Sequence, residues 1–199
     1  MKISVLGSTG AMGGLVIRSA LREGVEISKT VSSKDDISDL FIDTDVVVDF
    51  SCPVATESML QCINKEKITI PVVIGTTGLS EHCMRLMERC SEYTQIFYSP
   101  NMSFLISIVN MMAYATAKLL DSSYDVEIAE VHHKLKKDAP SGTAIMLGNS
   151  IAQARGRRLK EVARFTRYGV IPTRQDGEIG FAVQRCGNTV GKHEISFKL

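Results

Sequence analysis

The densest group of chemically active side chains in this chain lies between residues 130 and 143. His132 and His133 are adjacent, and Lys136 follows shortly after them. Histidine titrates near neutral pH and passes protons, and an ammonium group stabilises developing negative charge. This spacing indicates acid–base chemistry, but paired histidines are also common structural residues and lysine-rich loops are often only solvated. No metal site is predicted, because nothing nearby supplies a third ligand for a tetrahedral site.

A predicted helix start directly after this group is suited to a carboxylate. Pro140 ends the preceding structure, Ser141 is a good N-cap, and Gly142 and Thr143 begin the helix. The free N–H groups and positive dipole end of a helix bind anions. Together with Lys136, this helix start is expected to hold an anionic substrate.

A glycine motif near the N-terminus predicts a dinucleotide site. Gly7, Gly10 and Gly13 form a G-x-x-G-x-x-G pattern between a predicted strand and a predicted helix. Glycine permits a tight turn and a close approach of backbone to pyrophosphate, and the helix N-terminus favours phosphate charge. The alternative is a strand-to-helix turn that binds nothing.

The end of the second predicted strand bears on the choice between NADH and NADPH. Sites for NAD usually place a carboxylate here, against the adenosine ribose. This sequence has Ser32, Ser33 and Lys34, with Asp35 and Asp36 just beyond. Two hydroxyls and an ammonium suit a 2′-phosphate, which favours NADPH with Lys34 as the phosphate contact. A solvated loop lysine is the alternative.

Three further turns follow predicted apolar strands, at residues 51–53, 75–78 and 99–102. In open α/β sheets, ligands bind beyond the carboxyl ends of the strands. The three turns together are suited to wall a crevice for a nicotinamide ring. Each turn taken singly is equally well explained by ordinary turn chemistry.

The elements that position these groups differ between the two halves of the chain. In the first half, strands are predicted at 3–6, 25–31, 45–50, 70–74 and 95–98, and helices at 11–23, 56–65 and 80–91. The run Val46, Val47, Val48 is typical of a strand covered on both faces, as in a parallel sheet. The alternation predicts a Rossmann-like α/β dinucleotide-binding domain over residues 1–103.

The second half predicts a substrate-binding and oligomerisation domain of α+β class over residues 104–199. Helices are expected at 104–120 and from about 142 to 154, and a strand at 126–131. Segments 179–184 and 189–197 are expected to form an antiparallel hairpin within a mixed or antiparallel sheet.

Charge argues against binding of nucleic acid by the whole chain. The chain has 23 Lys and Arg against 22 Asp and Glu, whereas proteins that bind polyanions usually have a strongly basic surface. Residues 155–174 are locally basic, with seven Arg or Lys against one Glu. This stretch is interpreted as a solvated surface, or as a region that steers a polyanionic substrate.

Neither a membrane span nor secretion is predicted. The longest uncharged stretch, residues 93–117, contains Pro100 and Asn101 and is interpreted as a strand, a polar turn and a buried helix. The five cysteines include no C-x-x-C pair, and the N-terminus lacks a secretory pattern. We therefore expect a cytoplasmic protein with reduced thiols.

These motifs resemble the dihydrodipicolinate reductase (4-hydroxy-tetrahydrodipicolinate reductase) family of the diaminopimelate and lysine pathway. The resemblance covers nearly the whole chain and is most specific over residues 130–136 and 138–144. Other matching segments are residues 7–13, 49–51, 75–78, 99–103 and 179–193.

The resemblance implies transfer of a hydride from NADPH or NADH to C4 of a cyclic dicarboxylate, giving tetrahydrodipicolinate. It implies that His132 donates and accepts a proton, that Lys136 is the proton donor, and that His133, Gly142 and Thr143 bind the substrate carboxylates. The implied cofactor contacts are Gly7, Ser8, Thr9, Gly10, Ala11, Met12, Gly75, Thr76, Thr77, Ser99, Pro100, Asn101 and Met102. The family is typically a homotetramer built through the sheet of the second domain.

The chain departs from the family's pattern in two places. Leu105, Ile106 and Ser107 stand where the family usually has a Gly-Val-Asn run, and the family's sequence continues for some tens of residues past Leu199. The missing segment usually returns to the dinucleotide domain. Two alternatives to the reductase are a non-catalytic NAD(P)-binding remnant of this family and a related reductase of another anionic imine.

Overall fold

The predicted parallel sheet of the first half is present in the computed structural model, which describes residues 1–199. Contacts divide the chain into unit 1, Met1–Pro100, and unit 2, Asn101–Leu199. The sheet of unit 1 has five parallel strands in the order β2-β1-β3-β4-β5. They are β1 (Lys2–Leu6), β2 (Glu26–Val31), β3 (Val46–Asp49), β4 (Val72–Ile74) and β5 (Ile96–Tyr98).

Three α-helices alternate with these strands, which confirms the Rossmann-like architecture. They are α1 (Ala11–Arg22), α2 (Pro53–Glu66) and α3 (Glu81–Cys90), and a 3₁₀ helix, Ile37–Phe41, precedes β3. Pro53 begins α2 at a position where its missing N–H costs nothing, and Ser80 caps α3 by accepting from the Cys83 N–H at 3.1 Å. Buried aliphatic residues of α2, among them Leu60 and Ile63, belong to one core with Val47 and other strand residues.

Unit 2 contains a mixed four-stranded sheet in the order β7-β8-β6-β9. Its strands are β6 (Asp125–His132), β7 (Ala163–Arg164), β8 (Ile179–Arg185) and β9 (Lys192–Lys198). Its helices are α4 (Phe104–Leu119), α5 (Gly142–Ala154) and α6 (Leu159–Val162). Its core joins Leu147 and Ile151 of α5 to Ile128 of β6 and Ile179 of β8.

The predicted antiparallel hairpin at the end of the chain is wrong. β8 runs parallel to β6 and β9 runs antiparallel to it, so β6 lies between them; Ala129 pairs with Ala182 on one side and Glu194 on the other. The turn residues were correctly located, but their loop does not close on itself. Instead the Cys186 N–H donates to the His132 carbonyl at 2.9 Å, at the end of β6.

The interpretation of the uncharged stretch as containing a buried helix is also wrong. Only Ala113 and Ala117 of α4 are buried, while Phe104, Leu105 and Met111 are largely exposed. One side of α4 packs against α5, and a continuous apolar run does not show which side that will be. No helix of the structure combines the length and apolarity needed to cross a bilayer.

Arginines of the basic stretch 155–174 form ion pairs within unit 2, so the stretch is not simply a solvated surface. Arg167 lies 2.6 Å from a Glu178 oxygen and 2.9 Å from a Glu127 oxygen, and Arg174 lies 2.8 Å from Asp125. These carboxylates lie outside the stretch, so a local charge count misses them. Much of the positive charge is therefore paired within unit 2.

Candidate active site

Strand β6 brings Glu130 and His132 to the buried face of the sheet in unit 2. Side chains alternate along a strand, and here Val126, Ile128, Glu130 and His132 are buried while the residues between them are partly exposed. The apolar members of this series pack in the core. The last two members bring a carboxylate and an imidazole to the carboxyl end of the strand.

The Glu130 carboxylate is surrounded by donors from three other segments. The Ser141 N–H donates to Oε1 at 3.0 Å, the Ser141 hydroxyl donates to Oε2, and Arg185 Nη2 of β8 lies 3.0 Å from Oε1. His193 of β9 places Nε2 3.4 Å from Oε2 and 3.1 Å from the Ser141 hydroxyl. Burial opposes ionisation of Glu130, but the hydrogen bonds from Ser141 and Arg185 outweigh it and lower its pKa.

His132 lies against this carboxylate without a direct hydrogen bond. Its Nδ1 is 3.6 Å from Glu130 Oε2, and that buried nitrogen has no hydrogen-bond partner. The ring meets His193 edge-on, with 5.1 Å between ring centroids. Burial lowers the pKa of His132 below its ordinary value, and only Glu130 acts in the opposite direction. The imidazole is therefore neutral near pH 7.

Lys136 is brought back toward His132 by a tight turn. The Lys136 N–H donates to the His133 carbonyl at 3.1 Å, which curls the chain directly after β6. The positive charge of Lys136 is near enough to contribute to the lowered pKa of His132. His133, which was also expected in the substrate site, lies at this turn and is partly buried.

The Lys136 ammonium is paired with the carboxylate of Asp138, at 2.7 Å from Oδ1. Burial opposes ionisation of Asp138, but Lys136 and the backbone N–H of Gly142 lower its pKa overall. The Lys136 ammonium, which was expected to hold a substrate carboxylate, thus holds a carboxylate of the protein itself.

The start of α5 forms as expected at Ser141, but its hydroxyl is committed within the protein. Ser141 caps α5 by accepting from the Ala144 N–H at 3.2 Å, and it also bonds to Glu130. Thr143 is buried, and its hydroxyl accepts a hydrogen bond of 2.8 Å from the Asn101 amide. Asn101, expected at the cofactor, thus lies against Thr143, expected at the substrate.

The sequence predicted no metal site because no third ligand lies near the two histidines in sequence, but the structure supplies one from a distant strand. His193 supplies the third group that spacing did not show, and ligand atoms of Glu130, His132 and His193 lie within 4.8 Å of one another. The Ser141 hydroxyl already bonds to Glu130, and a divalent cation would lie beside the Arg185 guanidinium. The donor set therefore favours a hydrogen-bonded cluster, and the absence of a metal stays a prediction.

In unit 1, the glycine loop provides a backbone cradle of the kind a dinucleotide requires. Gly7 has a φ of +82°, and a Cβ on it would lie 2.7 Å from the Phe50 carbonyl oxygen. A Cβ on Gly13 would lie 2.2 Å from the Gly7 oxygen, so only glycine fits there. Gly10 is the N-cap of helix α1 and provides no side-chain cap, so the first N–H groups of the helix are available to an anion. The loop fits a pyrophosphate.

A cleft of about 630 Å³ opens beside this loop. Gly7, Thr9 and Gly10 of the predicted motif line it, together with Ser32, Ser33, Asp35, Phe50 and residues of the turn after β3. Lys34 is exposed and does not line the cleft. The Asp35 carboxylate instead curls back to the end of β2, where the N–H and hydroxyl of Ser32 donate to it at 2.8 and 2.7 Å.

A buried aspartate joins the strand-end turns of unit 1. Asp49 accepts from the Ser51 N–H at 2.9 Å, from the Thr76 hydroxyl at 3.0 Å and from the Thr56 hydroxyl at 2.5 Å. Burial raises its pKa in spite of these hydrogen bonds. Thr76 is therefore a link between turns as well as an expected cofactor contact.

Gly75 is required for close packing beside the same turns. A Cβ on Gly75 would lie 2.1 Å from the Phe50 ring, which lines the cleft. Thr77 follows in the same turn and is partly buried.

The other residues expected to contact the cofactor differ in exposure and in hydrogen bonding. Ser8 donates its hydroxyl weakly to the Val31 carbonyl at 3.4 Å. Ala11 and Met12 stand exposed in the first turn of α1. Ser99 and Pro100 end unit 1 directly after β5, and Met102 is half exposed.

Sequence reasoning missed Glu130, Arg185 and His193 as members of the site. The alternation along β6 contains a signal for Glu130, because it shares a face with Val126 and Ile128. No local signal identifies Arg185 or His193, because sheet pairing with β6 brings them together. Asp49 was detectable as an acidic residue that ends an apolar strand.

Comparison with known proteins places these features in a family. Models of the N-terminal and C-terminal parts of dihydrodipicolinate reductase match residues 1–102 and 105–199. A 4-hydroxy-tetrahydrodipicolinate reductase from Campylobacter jejuni is 38% identical over 198 residues, covering 99% of this chain and 81% of that protein. The same enzyme from Hahella chejuensis is 34% identical, with 98% and 82% covered.

Solved structures show the same fold. A dipicolinate-bound dihydrodipicolinate reductase from Paenisporosarcina sp. TG-14 has a TM-score of 0.61 at 20% identity, covering 98% of this chain and 82% of that one. A dehydrogenase (MviM) from Clostridium difficile has a TM-score of 0.56 at 10% identity, covering 98% and 74%. With both halves matched by family models and curated relatives above 30% identity, the chain belongs to the dihydrodipicolinate reductase family.

Proposed function

We propose that this protein reduces 4-hydroxy-tetrahydrodipicolinate (dihydrodipicolinate) to tetrahydrodipicolinate with NADH or NADPH, in diaminopimelate and lysine biosynthesis. The observation that carries the proposal is the Lys136 ammonium, which lies 2.7 Å from a carboxylate oxygen of Asp138 in the segment between His132 and the start of α5. The same ammonium suits a carboxylate of a small dicarboxylate substrate. His132 is held in the same unit and supplies a neutral imidazole for proton transfer.

The two units have separate tasks in this proposal. In unit 1 the loop around Gly7 and Gly10 binds the pyrophosphate of the cofactor, and the turns joined by Asp49 shape the site at the ends of β3 and β4. A reduced nicotinamide supplies a hydride to C4 of the ring when it is bound. Unit 2 binds and orients the dicarboxylate.

In this proposal, Lys136 stabilises the negative charge that forms on the substrate ring, and Lys136 and His132 transfer protons. Loss of the 4-hydroxyl group as water converts the substrate to the conjugated imine dihydrodipicolinate. Addition of the hydride at C4 then leaves negative charge on the ring, which the Lys136 ammonium stabilises and then protonates. His132 exchanges a proton at the same ring. Gly142 and Thr143, at the start of α5, bind the substrate carboxylate together with His133.

The proposal is tested by following cofactor oxidation with freshly generated substrate. We expect turnover by the wild type and a loss of roughly 10²–10⁴-fold or more in His132→Ala combined with Lys136→Ala. Cofactor affinity should be nearly unchanged, because the glycine loop and its cleft lie in unit 1. Arg157→Ala, a change at an exposed residue after α5, is the control and should leave turnover intact.

Each failure has a distinct meaning. Absence of wild-type turnover together with tight cofactor binding by calorimetry would support a non-catalytic NAD(P)-binding remnant. Turnover only with a different substrate in a panel of cyclic and linear imines would support the related reductase. Unchanged turnover in the double variant would contradict the roles of His132 and Lys136.

For cofactor choice, we propose that Asp35 governs the preference, in place of the NADPH preference expected from Lys34. Both side chains are exposed, but Asp35 lines the cleft and its carboxylate is held by Ser32, whereas Lys34 does not line the cleft. A carboxylate accepts hydrogen bonds from ribose hydroxyls and repels a 2′-phosphate. This favours NADH, with NADPH as the weaker cofactor.

Titration of both cofactors into three proteins tests this preference. Asp35→Asn should strengthen NADPH binding relative to NADH, while Lys34→Ala should change both affinities little. A selective loss of NADPH affinity in Lys34→Ala would contradict the assignment and restore Lys34 as the 2′-phosphate contact.

We also propose that the protein is a cytoplasmic homotetramer. All five cysteines are unpaired, which is typical of a reducing compartment. Unit 2 leaves large apolar side chains exposed on α4 and on the segment containing Tyr168 and Val170, as subunit interfaces do. Light scattering should give about four times the chain mass of 21.8 kDa. A monomeric mass at micromolar concentration would contradict the assembly.

A further inference from the structure

The proposed mechanism leaves one buried, ionised side chain without a task. Glu130 is 1% exposed, and none of the steps assigned to His132 and Lys136 involves it. Burial of a carboxylate is costly, and here one main-chain N–H, one hydroxyl and one guanidinium are used to keep it charged. The inference below rests on the proposed function of His132.

We propose that Glu130 is a positioning residue that orients the His132 ring through Nδ1 and leaves Nε2 as the nitrogen that exchanges the proton. Glu130 Oε2 is the carboxylate oxygen beside Nδ1, at 3.6 Å. The carboxylate accepts from an Nδ1–H and disfavours the tautomer in which Nδ1 is bare. It therefore selects the neutral tautomer protonated on Nδ1.

The first support is the orphaned state of Nδ1. It is buried and has no hydrogen-bond partner, although a buried unsatisfied polar group costs about 1–3 kcal/mol. Catalytic hydrogen bonds are often long in the absence of ligand and tighten in the productive complex. A shift of well under 1 Å would turn the 3.6 Å separation into a hydrogen bond.

The second support is the fixed position of Glu130 itself. Ser141 N–H and Arg185 both bond to Oε1, and the Ser141 hydroxyl bonds to Oε2, so the carboxylate cannot turn away from the ring. Ser141 also begins α5, where the substrate carboxylate is proposed to bind. One carboxylate therefore fixes both the acid–base ring and the helix start relative to strand β6.

The third support is electrostatic. Four charged or titratable side chains act on the His132 ring from β6, β8, β9 and the turn after β6; these are Glu130, Arg185, His193 and Lys136. Among the groups that act on His132, Glu130 raises its pKa, whereas His193, Lys136 and Arg185 lower it. Glu130 is thus the group that stabilises the imidazolium when His132 takes up a proton.

Glu130→Gln is the informative substitution, because it keeps the shape and removes the charge. The Gln carbonyl oxygen takes the place of Oε1, where two donors require an acceptor, so the NH₂ group faces Nδ1. An NH₂ donor stabilises the opposite tautomer of His132. We expect kcat to fall by about 10–100-fold, a smaller loss than the roughly 10²–10⁴-fold contribution of the proton-transferring group itself.

Nitrogen NMR on protein labelled only in histidine reads the tautomer directly. The chain has four histidines, so the His132 signals can be assigned by their loss in His132→Gln. We expect a protonated Nδ1 and a bare Nε2 in the wild type, and the reverse in Glu130→Gln. The same tautomer in both proteins would overturn the proposal.

A double-mutant cycle separates positioning from a general structural role. If Glu130 acts through His132, Glu130→Gln should cost little further kcat in a His132→Gln background. An equal loss in both backgrounds would overturn the proposal. The limb of the pH profile that reports His132 should also move to lower pH in Glu130→Gln alone. Glu194→Gln, an exposed change on neighbouring β9, is the matched control and should change neither readout.

The design distinguishes failure of this inference from failure of the proposed function. If the wild type has no reductase activity, the proposed function fails, while the tautomer measurement still decides the role of Glu130. If Glu130→Gln does not fold, Glu130→Asp keeps the charge but draws it back from the ring. That variant should populate the Nδ1–H tautomer less than the wild type does, and an unchanged population would overturn the proposal.

Discussion

At the scale of single residues, the candidate active site is assembled from charges that are already paired within the protein. Glu130 stays ionised because Ser141 and Arg185 donate to it, and Lys136 is held by Asp138. A substrate carboxylate that binds Lys136 therefore shares the ammonium with Asp138 or displaces it. The Lys136–Asp138 pair keeps the ammonium in place and also competes with the substrate.

Asp138→Asn tests that competition. Without the carboxylate, Lys136 and the Gly142 N–H lose their internal partner, so the KM for the dicarboxylate should fall severalfold. Steady-state kinetics with varied substrate measures this, and Asp176→Asn, away from the helix start, serves as control. An increase in KM would show that Asp138 positions Lys136 and does not compete with the substrate.

How far the sequence predicts the site depends on how local its contacts are. His132, Lys136, Ser141 and Thr143 lie within one short segment, so the chemistry of their types and spacing is enough to predict them as a group, and their roles stay a prediction. Arg185 and His193 join Glu130 only through pairing of β8 and β9 with β6. That register cannot be read from the sequence. Side-chain alternation shows which face of the sheet a residue lies on, but it does not show which strand pairs with which.

At the scale of elements, the proposed substrate site depends on how closely α5 lies against the sheet. Gly148 faces β8 and α6, where a Cβ would lie 2.7 Å from the Phe181 ring and 3.1 Å from a Leu159 methyl. Glycine lowers the helix propensity of α5 at this position, but it allows α5 to lie close to the sheet. The start of α5 at Ser141 is placed against Glu130 by the same packing.

Gly148→Ala should destabilise unit 2 in spite of the better helix propensity of alanine. Overpacking costs about 1–3 kcal/mol, against a gain of about 1 kcal/mol from propensity. Urea unfolding measures the difference, with the exposed neighbour Asn149→Ala as control. A Gly148→Ala protein as stable as the control would show that the contact relaxes without cost.

The same scale explains which elements the sequence predicts well. The apolar strands of unit 1 are separated by helices, and that alternation leaves only a parallel sheet as a reasonable topology. In unit 2, the glycine–asparagine turn between β8 and β9 resembles a hairpin turn locally. The fold inserts β6 between the two strands, and only long-range pairing distinguishes these outcomes.

At the scale of the whole molecule, burial of titratable groups in unit 2 couples its stability to pH. Burial lowers the folded pKa of His132 and His193 below their ordinary value of 6.5. These groups therefore contribute stability that is complete above pH 6.5 and is lost as the pH falls through their folded pKa values. The folded pKa of Glu130 is also lowered, from 4.5, which adds a second loss below that pH.

The free energy of unfolding should accordingly decrease from pH 7 to pH 5. His193→Gln should make that decrease shallower, and His82→Gln, an exposed change on α3, should not. Denaturant titrations at each pH provide the values. An unfolding free energy that is constant over this range, or a slope unaffected by His193→Gln, would contradict the burial argument.

The most direct measurement of the central claim uses cofactor labelled with deuterium at the transferable position of the nicotinamide. Mass spectrometry of the product should show one deuterium at C4 of the ring with the wild type. The yield should be strongly reduced in His132→Ala combined with Lys136→Ala, even though this double variant still binds the cofactor. Product without deuterium, or labelled cofactor recovered unchanged beside intact substrate, would contradict the account.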